Sequence, residues 1–428
     1  PVATQLAVVL LALWVVMGKK DTLAATFVAV AWMSEFLTVE GLGPNVGLSR
    51  LTALLLLPRA ALALTGAVKR DRAIAFLAFE WLWAIVLGVL FGWIVAWPDV
   101  TGLRPWQQAA AGRSVISCVR RLADLSGLVF LAEVGKRKGV RPLIYKVIAV
   151  FGIVQVLAAL AEDRFAFRFA EMRFPEARES WGDRPGGLNG EPRVLGRVSA
   201  VVGLVALTGQ ATPNLLRLGA LGAAGVGLAL SGSASAMWAA GFAALIAAIY
   251  AIRRRGERGV LAGALVAGIV VTLLSRSVFE RSAENVGSRW ETVVETPDRE
   301  LDETSVVAAL EVFDRAALRF LIDRPAYLLT GAGPDLISLP ASDYMPRRAV
   351  AIFGDRIDSV PHTGILWVVG GTGFVGLLLW LGALRARWVA LDTAGRRWEQ
   401  VLLLSVAAFS VLVYTPALVV IIGLTGDD

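Results

Sequence analysis

About a dozen apolar runs, most of them long enough to carry a helix through a hydrocarbon layer of ~30 Å, divide this chain and exclude most soluble folds. They lie at roughly 4–17, 22–39, 51–68, 73–97, 114–135, 142–162, 195–209, 213–231, 233–252, 259–276, 362–384 and 400–424. With 56% of its residues hydrophobic, the chain lacks the polar surface to coat a globule, so the bilayer is its expected solvent. The predicted fold is all-α and polytopic, with about 12 transmembrane helices.

The charges between the runs test that assignment. A net charge of +7 would suggest nucleic acid as partner in a soluble protein, but here the basic residues form short clusters at the ends of apolar runs. That pattern belongs to membrane orientation, and nucleic-acid binding is rejected. Five connections are markedly basic: Lys19/Lys20, Lys69/Arg70/Arg72, Lys136/Arg137/Lys138/Arg141, Arg253/Arg254/Arg255/Arg258 and Arg385/Arg387/Arg396/Arg397. With the spans above, all five fall on one side, which the excess of Lys and Arg makes cytoplasmic. The short breaks at Gln210 to Asn214 and Ser231 to Ser233 leave a re-entrant pair open as an alternative to two full spans.

The chain then divides into N-terminal spans (1–162), a first long outer loop (163–194), central spans (195–276), a large outer loop (277–361) and C-terminal spans (362–428). The first loop interleaves Phe165, Phe167, Phe169, Phe174 and Trp181 with charges and reads as an interfacial segment. The large loop carries one amphipathic helix, from about Thr304 to Arg324, with Val307, Leu310, Phe313, Ala317, Phe320 and Leu321 on its apolar face. Asp302 or Thr304 would cap its start and Pro325 would end it. Arg315 and Arg319, four residues apart, share a face and can present two guanidinium groups to one anion. The chain opens at Pro1 and is expected to be a fragment or processed form; no cleavable signal peptide is recognisable in it. The single cysteine, Cys118, and single histidine, His362, leave no means of building a disulfide framework or a Cys/His metal site, and no cofactor is expected.

The segment DRAALRFLIDRPAYLLTGAGPD, Asp314 to Asp335, followed by HTGILWVVGGTGFVGL, His362 to Leu377, resembles the signature of the O-antigen ligase and Wzy-type polymerase superfamily. An earlier stretch, Arg193 to Ala236, with RVLG, Pro213/Asn214 and LSGSASA, resembles the block that precedes it there. The resemblance covers roughly residues 190–385. Departures are Ala234 and Thr363, where the family often has Arg and Asn, and Gly370/Gly371, where it often has an acidic residue.

The resemblance implies a GT-C-like membrane fold in the bacterial inner membrane, with its active site facing the periplasm. It implies inverting, metal-independent transfer of a glycan from undecaprenyl diphosphate to an acceptor hydroxyl, on lipid A-core or another glycan. It also implies site residues: His362 and Arg315 as catalytic groups, and Arg193, Arg197, Arg289 and Arg319 as ligands of the diphosphate. The chemistry agrees, since a diphosphate leaving group needs cations and guanidinium supplies forked donors. Imidazole, with an ordinary pKa near 6.5, can take a hydroxyl proton. Ordinary explanations stand beside each: outer arginines also contact lipid headgroups, Arg319 can pair with Asp323, and a histidine at a helix start can act as a cap. Trp181, Trp290 and Trp367 suit sugar stacking as well as interfacial anchoring. Within the spans, Glu35, Arg59, Glu80 and Asp124 stand out, with Arg59 expected to pair with Glu35 or Glu80. Two alternatives to a ligase remain: a Wzy-type polymerase of the same fold, and a transporter or flippase of the lipid-linked glycan, for which functional charges would line broken helices near the midplane.

Overall fold

The computed structural model describes residues 21–33, 52, 54–95, 97, 109–165, 185–189, 191–208, 214–252, 312–345 and 361–426. Among them every element is helical. The N-terminal part holds α1 (Asp21–Met33), α2 (Leu57–Arg70), α3 (Arg72–Val89), α4 (Ala110–Gly135) and α5 (Val140–Phe165). The centre holds α6 (Pro192–Thr208), α7 (Asn214–Ser231) and α8 (Ala234–Ile252). A small unit follows, of α9 (Val312–Asp323), α10 (Ala326–Thr330) and α11 (Ser338–Ala341). The chain ends in α12 (Gly364–Thr393), α13 (Arg397–Leu412) and α14 (Ala417–Leu424).

Four helical stretches are long and apolar enough to cross a membrane: Arg72–Ile94, Val140–Phe165, Asn214–Ser231 and Gly364–Thr393. Their outward faces are apolar at helical spacing. Val150, Val154 and Leu157 are exposed on α5, and Phe374, Leu378 and Leu381 on α12. The shorter α8 shows Trp238, Phe242, Leu245 and Ile249 in the same rhythm. Stripes of this length are not left open to water, and they fit lipid as the surrounding solvent.

Contacts tie three of the basic connections, and Asp21 at the start of α1, to one end of the bundle. Asp71 ends α2 and caps α3, its Oδ1 accepting from Ala73 N (3.0 Å) and Ile74 N (3.3 Å). Its Oδ2 accepts from the fully buried Arg387 of α12 at 2.7 Å. The turn after α4 joins the same end: Arg137 pairs with Asp21 at 2.5 Å, and Arg141 lies 3.7 Å from Glu399. Arg59 departs from expectation. It pairs with Asp21 (2.6 Å) and lies over the Phe130 ring, while Glu80 pairs with Arg121; Glu35 is outside the described residues. Arg59 and Arg70 leave α2 about 16 Å apart, yet they reach Phe130 and Glu133, one turn apart on α4. Helix α2 therefore runs obliquely across this end, its exposed face carrying Leu62, Lys69 and Arg70.

The runs expected at 195–209, 213–231 and 233–252 appear as three helices, α6, α7 and α8. Ser199 faces Gly227, Ala224 faces Gly203, and Arg217 donates to the carbonyls of Ala206 and Leu207. Helices α6 and α7 are thus packed antiparallel, and of the three helices only α7 is long and apolar enough to cross a membrane. The run 400–424 is two helices, because Pro416 has no amide hydrogen to donate and the chain at Val413 turns extended. The helix expected from 304 is described from Val312 and stops at Asp323, ahead of Pro325; its earlier part lies outside the described residues.

Helix α3 continues through a π turn, Leu90–Ile94, for 23 residues in all, about 35 Å. It starts at the basic end, so its far end marks the opposite one. There Phe91 stacks on Trp97 and meets Tyr327, and Leu87 and Phe91 join Leu336 and Leu339 in one apolar cluster. The 312–345 unit is thereby seated on the end of the bundle remote from the basic connections. Arg113 anchors it further, donating to the buried Ser338 hydroxyl at 2.7 Å.

Candidate functional site

Three segments far apart in sequence meet at this remote end. Helix α6 begins at Pro192, whose fixed φ suits a first turn, and Arg193 follows directly. Its position is set by the glycines at 186 and 187, just ahead of it in the chain. Gly186 and Gly187 donate their amides to the buried Glu162 carboxylate at 2.9 and 2.6 Å, and Gln155 donates to Gly186 O at 3.1 Å. Gly187 adopts φ +59°, and a Cβ there would lie 2.8 Å from Gln155. The RVLG turn then packs its Gly196 against Ser231, Ser233 and Ala236, so both halves of the earlier sequence block touch. Ser233 caps α8, accepting from Ala236 N at 3.4 Å.

The second segment is the start of α12. His362 is fixed by its own backbone: its amide donates to Asp314 Oδ1 at 2.7 Å, and its carbonyl accepts from Tyr414 N at 3.0 Å, in the break between α13 and α14. Thr363 donates to the same carboxylate through its amide (3.2 Å) and hydroxyl (2.6 Å). Asp314 is buried, and it supplies α12 from another helix with the anionic N-terminal cap that Thr363 itself does not give. The third segment is α9, which carries Asp314, Arg315 and Arg319.

Arg193 NH1 lies 3.3 Å from His362 Nε2. Of the residues singled out from sequence, these two are brought into direct contact. Arg315 is half-buried on the first turn of α9, beside Asp314; its Nε is buried and has no hydrogen-bond partner among the described residues. Arg319 lies one turn further along α9 and Arg197 one turn further along α6, both half-buried. Arg289 lies outside the described residues.

The glycine motifs have a structural task. Helix α12 is interrupted at Gly373, which takes φ +66°, ψ −167°. The Gly331–Gly333 turn fits into that interruption. Ala332 N donates to Gly370 O at 2.8 Å, and Trp83 donates to Thr372 O at 3.0 Å. Gly331 has φ +77°, and a Cβ on it would lie 2.5 Å from Gly371 O. The two motifs therefore meet backbone to backbone, an approach that only glycine permits.

Beneath the site, toward the bundle interior, lies a cavity of about 80 Å³, lined by Glu80, Arg121, Trp367, Trp380 and Tyr414 among others. Arg121 pairs with Glu80, and its guanidinium sits 4.6 Å from the Trp367 ring centroid. Trp367 stacks on Tyr414 at 4.3 Å and donates to Asp335 at 3.0 Å. The sequence suggests Trp367 for sugar stacking, but its ring is in contact with Arg121 and Tyr414 and its indole N–H is held by Asp335. Glu162 and Tyr414 are not marked by the sequence, and Asp314, which suggests itself there as an ion-pair partner of Arg315, instead caps α12. The only signal for Asp314 was its place next to Arg315, and nothing local marks a residue that caps a helix 48 positions away.

No family model matches the chain, and no curated protein is similar enough to register as its relative.

Proposed function

We propose that this chain is a multi-pass membrane glycosyltransferase of the O-antigen ligase kind, working at the outer face of a bacterial inner membrane. In this reading it moves a glycan from undecaprenyl diphosphate to an acceptor hydroxyl on lipid A-core or a similar molecule. The observation that carries the reading is the 3.3 Å contact of Arg193 with His362, from two separate sequence blocks, at the end of the bundle remote from the basic connections. A base and a phosphate-binding cation are the two groups this reaction needs side by side. Arg315, whose buried Nε has no hydrogen-bond partner among the described residues, is a second cation held near the same helix start.

The chemistry follows from those groups. The acceptor oxygen attacks the anomeric carbon from the face opposite the diphosphate. The carbon–oxygen bond to the diphosphate breaks, and the anomeric configuration inverts. His362 takes the hydroxyl proton, and the arginines stabilise the charge that develops on the departing diphosphate. No metal enters the scheme, because guanidinium groups supply the positive charge.

One observation favours the transporter reading as a second possibility: α12 is broken at Gly373, and the charged pair Glu80 and Arg121 lies near that break inside the bundle. Against it, the break is filled by the 331–333 turn and Trp83. Reconstitution in proteoliposomes with a polyprenyl-diphosphate glycan and candidate acceptors separates the possibilities. A single covalent transfer that survives EDTA supports a ligase, and a ladder of products supports the polymerase. Movement of the intact lipid-linked glycan between leaflets, with no covalent product, would refute the transferase reading.

A further inference from the structure

Guanidinium has only donors, so the contact between Arg193 NH1 and His362 Nε2 uses the lone pair of that nitrogen. A hydrogen bond of this kind requires a neutral imidazole with its proton on Nδ1. The lone pair held by Arg193 is the one that the proposed reaction needs for taking the acceptor proton. The two residues assigned separate tasks therefore block one another in the ligand-free protein.

The chemistry of the incoming ligand decides which partner it draws away. His362 is fixed on both sides of its backbone, by Asp314 at 2.7 Å and by Tyr414 N at 3.0 Å. Arg193 reaches the ring on a long, rotatable stem from the first turn of α6. A diphosphate offers guanidinium full negative charge and paired, forked acceptors, neither of which a single neutral imidazole nitrogen supplies. Arrival of a diphosphate should turn Arg193 away and leave the histidine in place.

We propose that Arg193 is a donor-operated latch on His362: binding of the lipid diphosphate withdraws Arg193 and frees Nε2 to act as base. This inference rests on the transferase reading above and adds to it an order of events. The base is exposed only after the donor is seated, so acceptor binding alone triggers nothing. The latch also sets the condition for reset. After transfer, the hydroxyl proton sits on Nε2, and Arg193 cannot donate to a protonated nitrogen. The proton must pass to solvent and the lipid diphosphate must leave before the contact re-forms.

His362 is the only histidine in the chain, so protein labelled with ¹⁵N-histidine in nanodiscs reports on this ring alone. In ligand-free protein, Arg193→Ala should move the Nε2 resonance and speed carbethoxylation of His362 by about tenfold, the factor that one net hydrogen bond of this kind supports. Undecaprenyl diphosphate added to the wild type should move Nε2 in the same direction as that substitution. Arg193→Lys, which keeps a charged donor on a stem of nearly the same length, should stay near the wild-type resonance and still respond to the diphosphate. It also serves as the folded control if the alanine variant is unstable. An Nε2 resonance that is unchanged in folded Arg193→Ala would overturn the latch. So would diphosphate binding, seen in the ligand's ³¹P signal, with no movement of the imidazole; donor binding itself would then stand. Absence of any diphosphate binding would overturn both the latch and the transferase reading.

Discussion

Replacing Asp314 with alanine removes a buried carboxylate that accepts, among the described residues, from the amides of His362 and Thr363 and the hydroxyl of Thr363. Hydrogen bonds to a charged group contribute roughly 1.5–3 kcal/mol each when both partners are buried. Here His362 and Thr363 are only half-buried, so water can take over part of the role. A net local loss of about 3 kcal/mol is the working figure, and at 1.4 kcal/mol per factor of ten it corresponds to roughly a hundredfold more opening. The assay is amide hydrogen exchange with mass spectrometry in nanodiscs, reading a peptide that covers residues 361–368. That peptide should exchange about a hundredfold faster in Asp314→Ala, and by an intermediate factor in Asp314→Asn, which keeps one acceptor oxygen. Protection around Leu378 to Leu384, beyond the interruption at Gly373, should be unchanged. Unaltered exchange at 361–368 in a folded Asp314→Ala protein would refute the tether and with it the fixed placement of His362.

At Arg315, lysine keeps the charge but loses the fork, so Arg315→Lys should retain reduced transfer activity where Arg315→Ala retains almost none; equal activity in both would remove Arg315 from the site. His362→Ala should lower turnover by roughly 10²- to 10⁴-fold with donor binding near normal, whereas equal loss of donor binding would make the histidine a ligand. Gly331→Ala forces a Cβ onto Gly371 O at a backbone angle unfavourable to alanine, and should lower the thermal midpoint in detergent by several degrees, read by tryptophan fluorescence. In a Cys118→Ala background, a cysteine at Lys138 should be labelled from the cytoplasmic side and one at Asp343 from the outer side, both positions being exposed. Labelling of both from the same side would break the topology.

Sequence alone determined the class of solvent and the general architecture. Apolar runs of bilayer length and basic clusters at their ends need no tertiary contacts to be read, because both respond to the bilayer itself. Proline at 416 and at 325 marks helix ends just as locally, although 416 was passed over inside an otherwise continuous apolar run. Arg193 and His362 could be singled out by chemistry and by resemblance, but their contact could not, since it joins positions 169 residues apart. The roles of Asp314 as a cap for another helix and of Asp71 as both cap and partner of Arg387 were equally hidden. The glycines give the clearest contrast. Gly331 to Gly333 and Gly370 to Gly373 each look like a turn or a flexible point in the linear chain. Only the folded protein brings them together, where the missing side chains let two backbones touch and a helix interruption be filled. Local patterning reports how each segment meets its solvent, whereas close approach between distant segments depends on where other helices have already placed them, and that information has no local signature.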